Sequence, residues 1–367
     1  MHAAPAVNDF SIHVATVNGS GSQTANNVLM RSIFQMGVPV SGKNLFPSNI
    51  AGLPTWFTIR ASHKGYIGRR KEIDLLVAMN PETARDDVMD LAAGAAVVYD
   101  ESLALSGLRD DLVFYPVPFD KLVAGVCPEM KLRKLVRNMI YDGVVAHLLD
   151  IDLEEMRKAL LKQFGEKKRK AAELNWQAVL AGQEYAKENL PKADPLKVER
   201  MEANHGRLII DGNTAAALGC VFAGVTVLTW YPITPSSSLA EAMIDFLGRL
   251  RRDPETGKAT YAVVQAEDEL AAAGMVLGAS WAGARAMTCT SGPGISLMSE
   301  FLGLGYFAEI PGVFIDVQRV GPSTGLPTRT AQGDTLINAI VSHGDTKHPV
   351  YFPSSPEECF SMATEAF

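Results

Sequence analysis

Apolar residues recur along this chain in two registers, short continuous runs and 3.6-residue stripes, and the two alternate. Phe10 to Val17 is an apolar run with β character that closes on NGSGSQTA. Ala25, Val28, Leu29 and Ile33 then follow at helical spacing. Trp56 to Ala61 alternates as a half-buried strand would. DLLVAM (from Asp74) and AAVVY (from Ala95) read as buried parallel strands, with a helix between them. From Asp150 the texture changes to Lys, Glu, Ala and Leu, with Leu153, Met156, Leu160, Leu161 and Phe164 forming one helical stripe. After Pro191 and Pro195 the alternation resumes. A helix from Asn213, a strand Val225–Tyr231 and a helix from Ser237–Ser238 come first. Then come a strand Tyr261–Gln265, a helix Glu269–Trp281, a strand Arg285–Thr290, a helix Ile295–Phe307 and a strand Val313–Val317. Strands that alternate with helices predict mainly parallel sheets covered on both faces. The expected class is therefore α/β with two domains: 1–150, a helical charged linker over 151–205, and 206–367. The chain stops in mid-pattern at PEECFSMATEAF, which suggests that a longer parent sequence continued.

Composition narrows the function classes. The 367 residues carry a formal net charge of −7, which argues against a general nucleic-acid binder. The basic run Lys167–Lys170 then reads as a solvated helix face. No apolar run reaches the roughly 20 residues that span a bilayer, and the first residues, without a basic stretch ahead of an apolar one, argue against secretion. Cys127, Cys220, Cys289 and Cys359 are scattered without a CxxC, so this chain is expected to carry free thiols in a reducing cytoplasm, with no metal or iron–sulfur site of its own.

Candidate chemistry lies in loops. Gly19 and Gly21 form a glycine turn ahead of a helix. The third glycine of a dinucleotide fingerprint is replaced by Thr24, and no acid closes a clear second strand. A tight packing turn and a phosphate contact both remain open, and a nicotinamide site is the weaker reading. Pro47, Ser48 and Asn49 mark a punctuated loop that suits either a binding role or none. In the second domain, three loops should converge at the carboxyl ends of the strands. Tyr231 to Ser238 holds Thr234 between Pro232 and Pro235, with Ser237 and Ser238 placed to cap the next helix. Glu267, Asp268 and Glu269 precede a helix of small residues that would admit a flat ligand or another backbone. Two of these acids need no more than the helix dipole. Thr290 to Gly294 is expected as a glycine turn that lets the chain pass a ligand. Arg319, just past a strand, suits a carboxylate.

YPITPSS, EDE with its small-residue helix, TSGPG and PGVFIDVQR together resemble the pyrimidine-binding domain of the α subunit of 2-oxoacid:ferredoxin oxidoreductases, which use thiamine diphosphate. The first domain, with GSGSQTA and KNLFPSNIAGLPTW, is similar to the γ domain of that family, and γ ahead of α is most like the 2-oxoglutarate enzymes. The family's α chains continue into a further transketolase C-terminal-like domain that this sequence lacks. The resemblance implies a transketolase-like second fold in which Glu269 hydrogen-bonds the aminopyrimidine nitrogen, favouring the tautomer that removes the thiazolium proton. It implies that Thr234 and Arg319 bind the substrate carboxylate, and that Pro235, Ser291 and Gly292 contact the cofactor. It further implies a β subunit that holds the diphosphate with Mg2+ and a [4Fe-4S] cluster, a dimer of αβ units, coenzyme A as co-substrate and ferredoxin as electron acceptor. Arg329 could take a distal carboxylate, though a plain loop arginine serves as well. The rival expectations are the same family acting on pyruvate or another 2-oxoacid, a non-catalytic assembly subunit and a nicotinamide-linked dehydrogenase.

Overall fold

The computed structural model describes residues 6–46, 51–66 and 68–367, so Pro47, Ser48 and Asn49 lie outside the described residues. The chain divides into two compact units, Met1–Ile209 and Ile210–Phe367.

The first unit begins with β1 (Ala6–Val7), β2 (Asp9–Val17), α1 (Ser22–Gln35), β3 (Val40–Leu45) and β4 (Pro54–Ser62). It continues with β5 (Leu75–Ala78), α2 (Ala84–Met89), β6 (Ala96–Asp100), β7 (Val113–Val117), α3 (Phe119–Val126), α4 (Met130–Val136) and α5 (Asn138–Leu148). It closes with α6 (Leu153–Phe164), α7 (Arg169–Asn189) and β8 (Leu196–Lys197). Among the described residues its main sheet runs β3-β4-β2-β5-β6-β7. β2, β5, β6 and β7 are parallel; β3 and β4 add an antiparallel flap. The strand that follows β2 and α1, β3, pairs with β4 and is separated from β2 by it, so it is not the adjacent parallel partner a dinucleotide fold requires. The glycine turn has Gly19 and Gly21 at positive φ. A side-chain carbon on Gly21 would meet Leu135 of α4 at 2.9 Å, so the chain's own helix covers it.

Two expectations change here. β4 is buried along nearly its whole length instead of alternating, because cores lie on both faces of the sheet. The stretch 151–205, expected as a linker, packs into the first unit. Met156, Leu160, Trp176 and Val179 join the main core. Backbones of α5 and α7 touch at two glycines: a carbon on Gly143 would meet Gln183 N at 2.8 Å, and one on Gly182 would strike Ile140 O. The Pro191–Pro195 segment is tied down as well. The Tyr115 hydroxyl donates to Asp194 at 2.7 Å and accepts from the amides of Ala193 (2.8 Å) and Asp194 (3.1 Å). β8 pairs in parallel with β1. The basic run Lys167–Lys170 is exposed.

The second unit contains α8 (Gly212–Phe222), β9 (Val227–Trp230), α9 (Ser237–Leu250), β10 (Ala262–Gln265), α10 (Glu269–Trp281) and β11 (Ala286–Thr290). α11 (Gly292–Phe307), β12 (Val313–Asp316), α12 (Thr335–Ile340) and α13 (Pro356–Glu365) complete it. Its sheet is parallel, in the order β10-β9-β11-β12. One face packs on α8 and α9, the other on the small residues of α10 and on Met298 and Phe301 of α11. Switches of strand order at β9 and β11 open a crevice at the carboxyl ends, where the loops of interest lie. All four cysteines are free thiols. No helix of the described residues is long and apolar enough to cross a membrane, and no group of His, Cys, Asp or Glu among them could hold a metal ion.

Candidate active site

The loop after β9 is held from several directions. The Thr234–Pro235 peptide is cis. Asn213 at the start of α8 donates to Pro235 O at 3.0 Å and to Ser238 Oγ at 2.8 Å. Ser237 Oγ accepts from Ile233 N at 3.1 Å, and Ser238 Oγ donates to Pro235 O at 3.2 Å. The expected capping by these serines is therefore absent. Both hydroxyls turn back onto the preceding loop, and α9 starts without a side-chain cap. Ser236 is fully buried, and its Oγ has no partner.

The three acids before α10 separate by environment. Asp268 is the N-cap and accepts from Ala271 N at 2.7 Å. Glu267 is exposed. Glu269 is 8% exposed, and its carboxylate has neither a hydrogen bond nor an ion pair with any described residue. Gly294 lies against it: a side-chain carbon at 294 would come within 3.0 Å of Glu269 Cγ and would strike Thr290 Oγ1. The methylene stem of Glu269 and the Thr290 hydroxyl thus fill the space a side chain at 294 would take, while the carboxylate itself stays without a partner.

TSGPG is not a passing turn. Gly292, Pro293 and Gly294 form the first turn of α11, with Pro293 where a missing N–H costs nothing. Ser291, in extended conformation ahead of it, is fully buried, and its Oγ is unpartnered. Arg319 is 6% exposed and donates to Thr234 O at 2.7 Å and to Thr324 O at 2.5 Å, joining the loop after β9 to the loop after β12. Its Nε–H is buried without a partner. Burial pushes the guanidinium down from its usual range, while Asp334 and Glu269 pull it back up. Arg329 sits one step along the same small ladder, in which Arg319 pairs with Thr330. Its backbone carbonyl accepts from Val320 N at 3.0 Å.

All six residues singled out from the sequence lie in this one unit. The structure joins Arg319 to Thr234, and Glu269 to the TSGPG turn through Gly294. It also adds residues the sequence reading passed over. Asp316 ends β12 and accepts from Asn338 at 2.7 Å; burial first, and then Asp334, push its carboxyl up to about 6. Asp334 is raised by burial, with Arg319 opposing. The acid inside VFIDV was a visible signal for Asp316, since charge interrupts a buried strand there. Asp334 has no such signal. Ser236 Oγ, Ser291 Oγ, Asp316 Oδ1, Arg319 Nε and Asp334 Oδ2 are all buried without partners at this end of the sheet. Folded chains rarely leave such groups unmatched, and their concentration in one place suits a ligand that completes them.

Residues 218–367 match the family described as pyruvate flavodoxin/ferredoxin oxidoreductase, thiamine diphosphate-binding, and residues 11–185 match pyruvate ferredoxin/flavodoxin oxidoreductase. The α subunit of 2-oxoacid:ferredoxin oxidoreductase 1 of Sulfurisphaera tokodaii is 30% identical over 95% of this chain and 61% of its own length. The 2-oxoglutarate oxidoreductase subunit KorA of Mycobacterium tuberculosis is 32% identical over 100% of this chain and 59% of its own. Among solved structures, the 2-oxoglutarate:ferredoxin oxidoreductase of Magnetococcus marinus, with 2-oxoglutarate, coenzyme A and succinyl-CoA bound, superposes with a TM-score of 0.87. It is 31% identical, over 98% of this chain and 61% of that one. The chain thus spans about three fifths of the length of these relatives.

Proposed function

We propose, for a chain of the 2-oxoacid:ferredoxin oxidoreductase α-subunit family, that it forms the pyrimidine-side half of a thiamine-diphosphate site and decarboxylates a 2-oxoacid together with a β subunit. The observation that carries this reading is Glu269: a residue only 8% exposed, its stem packed on Gly294 and its carboxylate unmatched by the chain's own donors. An aminopyrimidine ring fits this setting, because it is flat and offers a ring nitrogen to a carboxyl group. When bound, thiamine diphosphate supplies the electron sink for loss of CO2. Glu269 Oε would hold the shared proton at the ring nitrogen, in a charge-assisted hydrogen bond strengthened by exclusion of water. Ser291 Oγ, Gly292 and Pro235 would line the ring's edge. Arg319, with donors still unspent, and Thr234 would orient the substrate carboxylate.

The cofactor's diphosphate with Mg2+, and a [4Fe-4S] cluster, are assigned to the β subunit, with ferredoxin as electron acceptor and coenzyme A as acyl acceptor. Exposed apolar side chains on α10 and α11 (Leu270, Met275, Trp281, Leu304 and Phe307) support a partner on this face, in a dimer of αβ units. The substrate we favour is 2-oxoglutarate, supported by the names of the Mycobacterium and Magnetococcus relatives. The test is reconstitution. The chain alone should not turn over 2-oxoglutarate, the complex with its β subunit should, and Glu269→Gln should abolish turnover without preventing assembly. Undiminished turnover by Glu269→Gln refutes the assignment. Failure of the wild-type complex to bind thiamine diphosphate favours a non-catalytic assembly role.

A further inference from the structure

Asp334 brings a charge to the site that the reaction outlined above does not use. Its amide donates to Gln318 Oε1 at 2.7 Å, and its carbonyl accepts from Asn338 N at 3.0 Å. Asn338 reaches on to Asp316. Its carboxylate lies flat on Gly292, where a side-chain carbon would meet the two oxygens at 2.5 and 2.7 Å. This seat, at the N-terminal end of the sixteen-residue α11, suits an anion. The seat is also close enough for Asp334 and Arg319 to act on each other electrostatically. Nevertheless, no ion pair joins them within 4.0 Å, and Asp334 Oδ2 is buried without a partner. The backbone bonds hold the carboxylate off the guanidinium, so a negative charge stands near Arg319 without consuming its donors.

We propose, resting on the function given above, that Asp334 is a positioning residue whose fixed charge competes with the substrate carboxylate for Arg319, a repulsion that departure of CO2 relieves. In that step the C1–C2 bond breaks and the carboxylate leaves as CO2 with both oxygens. The bonding pair would stay on C2, and thiamine diphosphate, when bound, would supply the electron sink for it. A charge that disfavours the bound carboxylate more than the departing CO2 weakens ground-state binding and speeds the step.

The test uses the reconstituted complex and two readouts. Asp334→Asn keeps the shape and removes the charge. It should lower both KM for the 2-oxoacid and kcat by roughly tenfold, the paired change expected when ground-state repulsion is removed. A structural role would instead raise KM or leave it unchanged. The second readout needs no turnover: calorimetric binding of oxamate, an inert 2-oxoacid analogue, should tighten by a similar factor in Asp334→Asn. Wild-type oxamate affinity should also rise as pH falls and Asp334 takes up a proton. The charged groups that act on or with Asp334 are Arg319 and, at the end of β12, Asp316; Glu269 from α10 acts on Arg319. Burial and then Asp334 push the Asp316 carboxyl up to about 6, so the fall in slope on going from wild type to Asp334→Asn is the part that belongs to Asp334. Weaker or unchanged oxamate binding in Asp334→Asn overturns the proposal, and so does an undiminished kcat. Arg319→Gln is the separate control. If it leaves oxamate binding untouched, the carboxylate site itself is wrong and this inference falls with it.

Discussion

Gly294→Ala probes the packing around Glu269 without touching its charge. The position is helical and not at positive φ, so backbone preference alone would favour alanine by about 0.4–1 kcal/mol. The added methyl, however, overlaps Thr290 Oγ1 and sits 3.0 Å from both Thr290 Cβ and Glu269 Cγ. Thr290 is fully buried and cannot swing away. Overpacking of this kind costs about 1–3 kcal/mol, leaving a net loss of roughly 1–2 kcal/mol, or about 2–8 °C in Tm for a unit of this length. Glu269 should also be displaced by some tenths of an ångström. At a site where geometry governs rate, this should reduce turnover of the reconstituted complex by on the order of tenfold or more. Differential scanning calorimetry of the chain and a thiamine-diphosphate titration of the complex measure the two effects. Gly278→Ala is the stability control: nothing lies within 4 Å of the new methyl, so the chain should melt unchanged or slightly higher. If Gly294→Ala matches Gly278→Ala in melting and leaves cofactor binding intact, Glu269 is not held as described.

Two further predictions concern the first unit. Asp142 is fully buried with both carboxyl oxygens unpartnered, and burial holds its carboxyl well above the usual range. The folded chain thus keeps a proton that the unfolded chain releases above about pH 4, so this contribution to stability is fully present below that pH and is lost as pH rises. Asp142→Asn should flatten the fall of the urea midpoint between pH 5 and pH 8; an unchanged slope contradicts the assignment. Tyr115→Phe leaves the Ala193 and Asp194 amides and the Asp194 carboxylate without their shared hydroxyl, and should cost about 2–4 kcal/mol in urea unfolding. A loss under 0.5 kcal/mol would mean that the 190–198 segment is held by other contacts.

The second unit was legible because its strands are short apolar runs that alternate with segments of helical spacing. The helix from Glu269 to Trp281 is found where the pattern puts it, with Asp268 as cap. The sorting of the acids was half legible. The dipole argument says that some of Glu267, Asp268 and Glu269 need no function, but only burial shows which side chain turns inward. Errors arose where the deciding partner is distant in sequence. Ser237 looks like a cap until Ile233 claims its hydroxyl. The helices after Asp150 look like a linker because their exposed faces are charged, while the two glycine contacts that bind α7 to α5 leave no local trace. Asp334 becomes visible only when the fold sets it on Gly292.

Those glycine contacts also bear on how the chain can be divided. With Gly143 and Gly182 holding two backbones together and Val179 buried between them, the sheet and the helices after it form one cooperative body. A fragment cut at residue 150, where composition changes, would lose the helix that closes α5 and expose a broad apolar face. A cut after Ile209 respects the core. The composition boundary of this chain and its folding boundary are about sixty residues apart, and fragment expression or domain exchange with relatives succeeds or fails on the second.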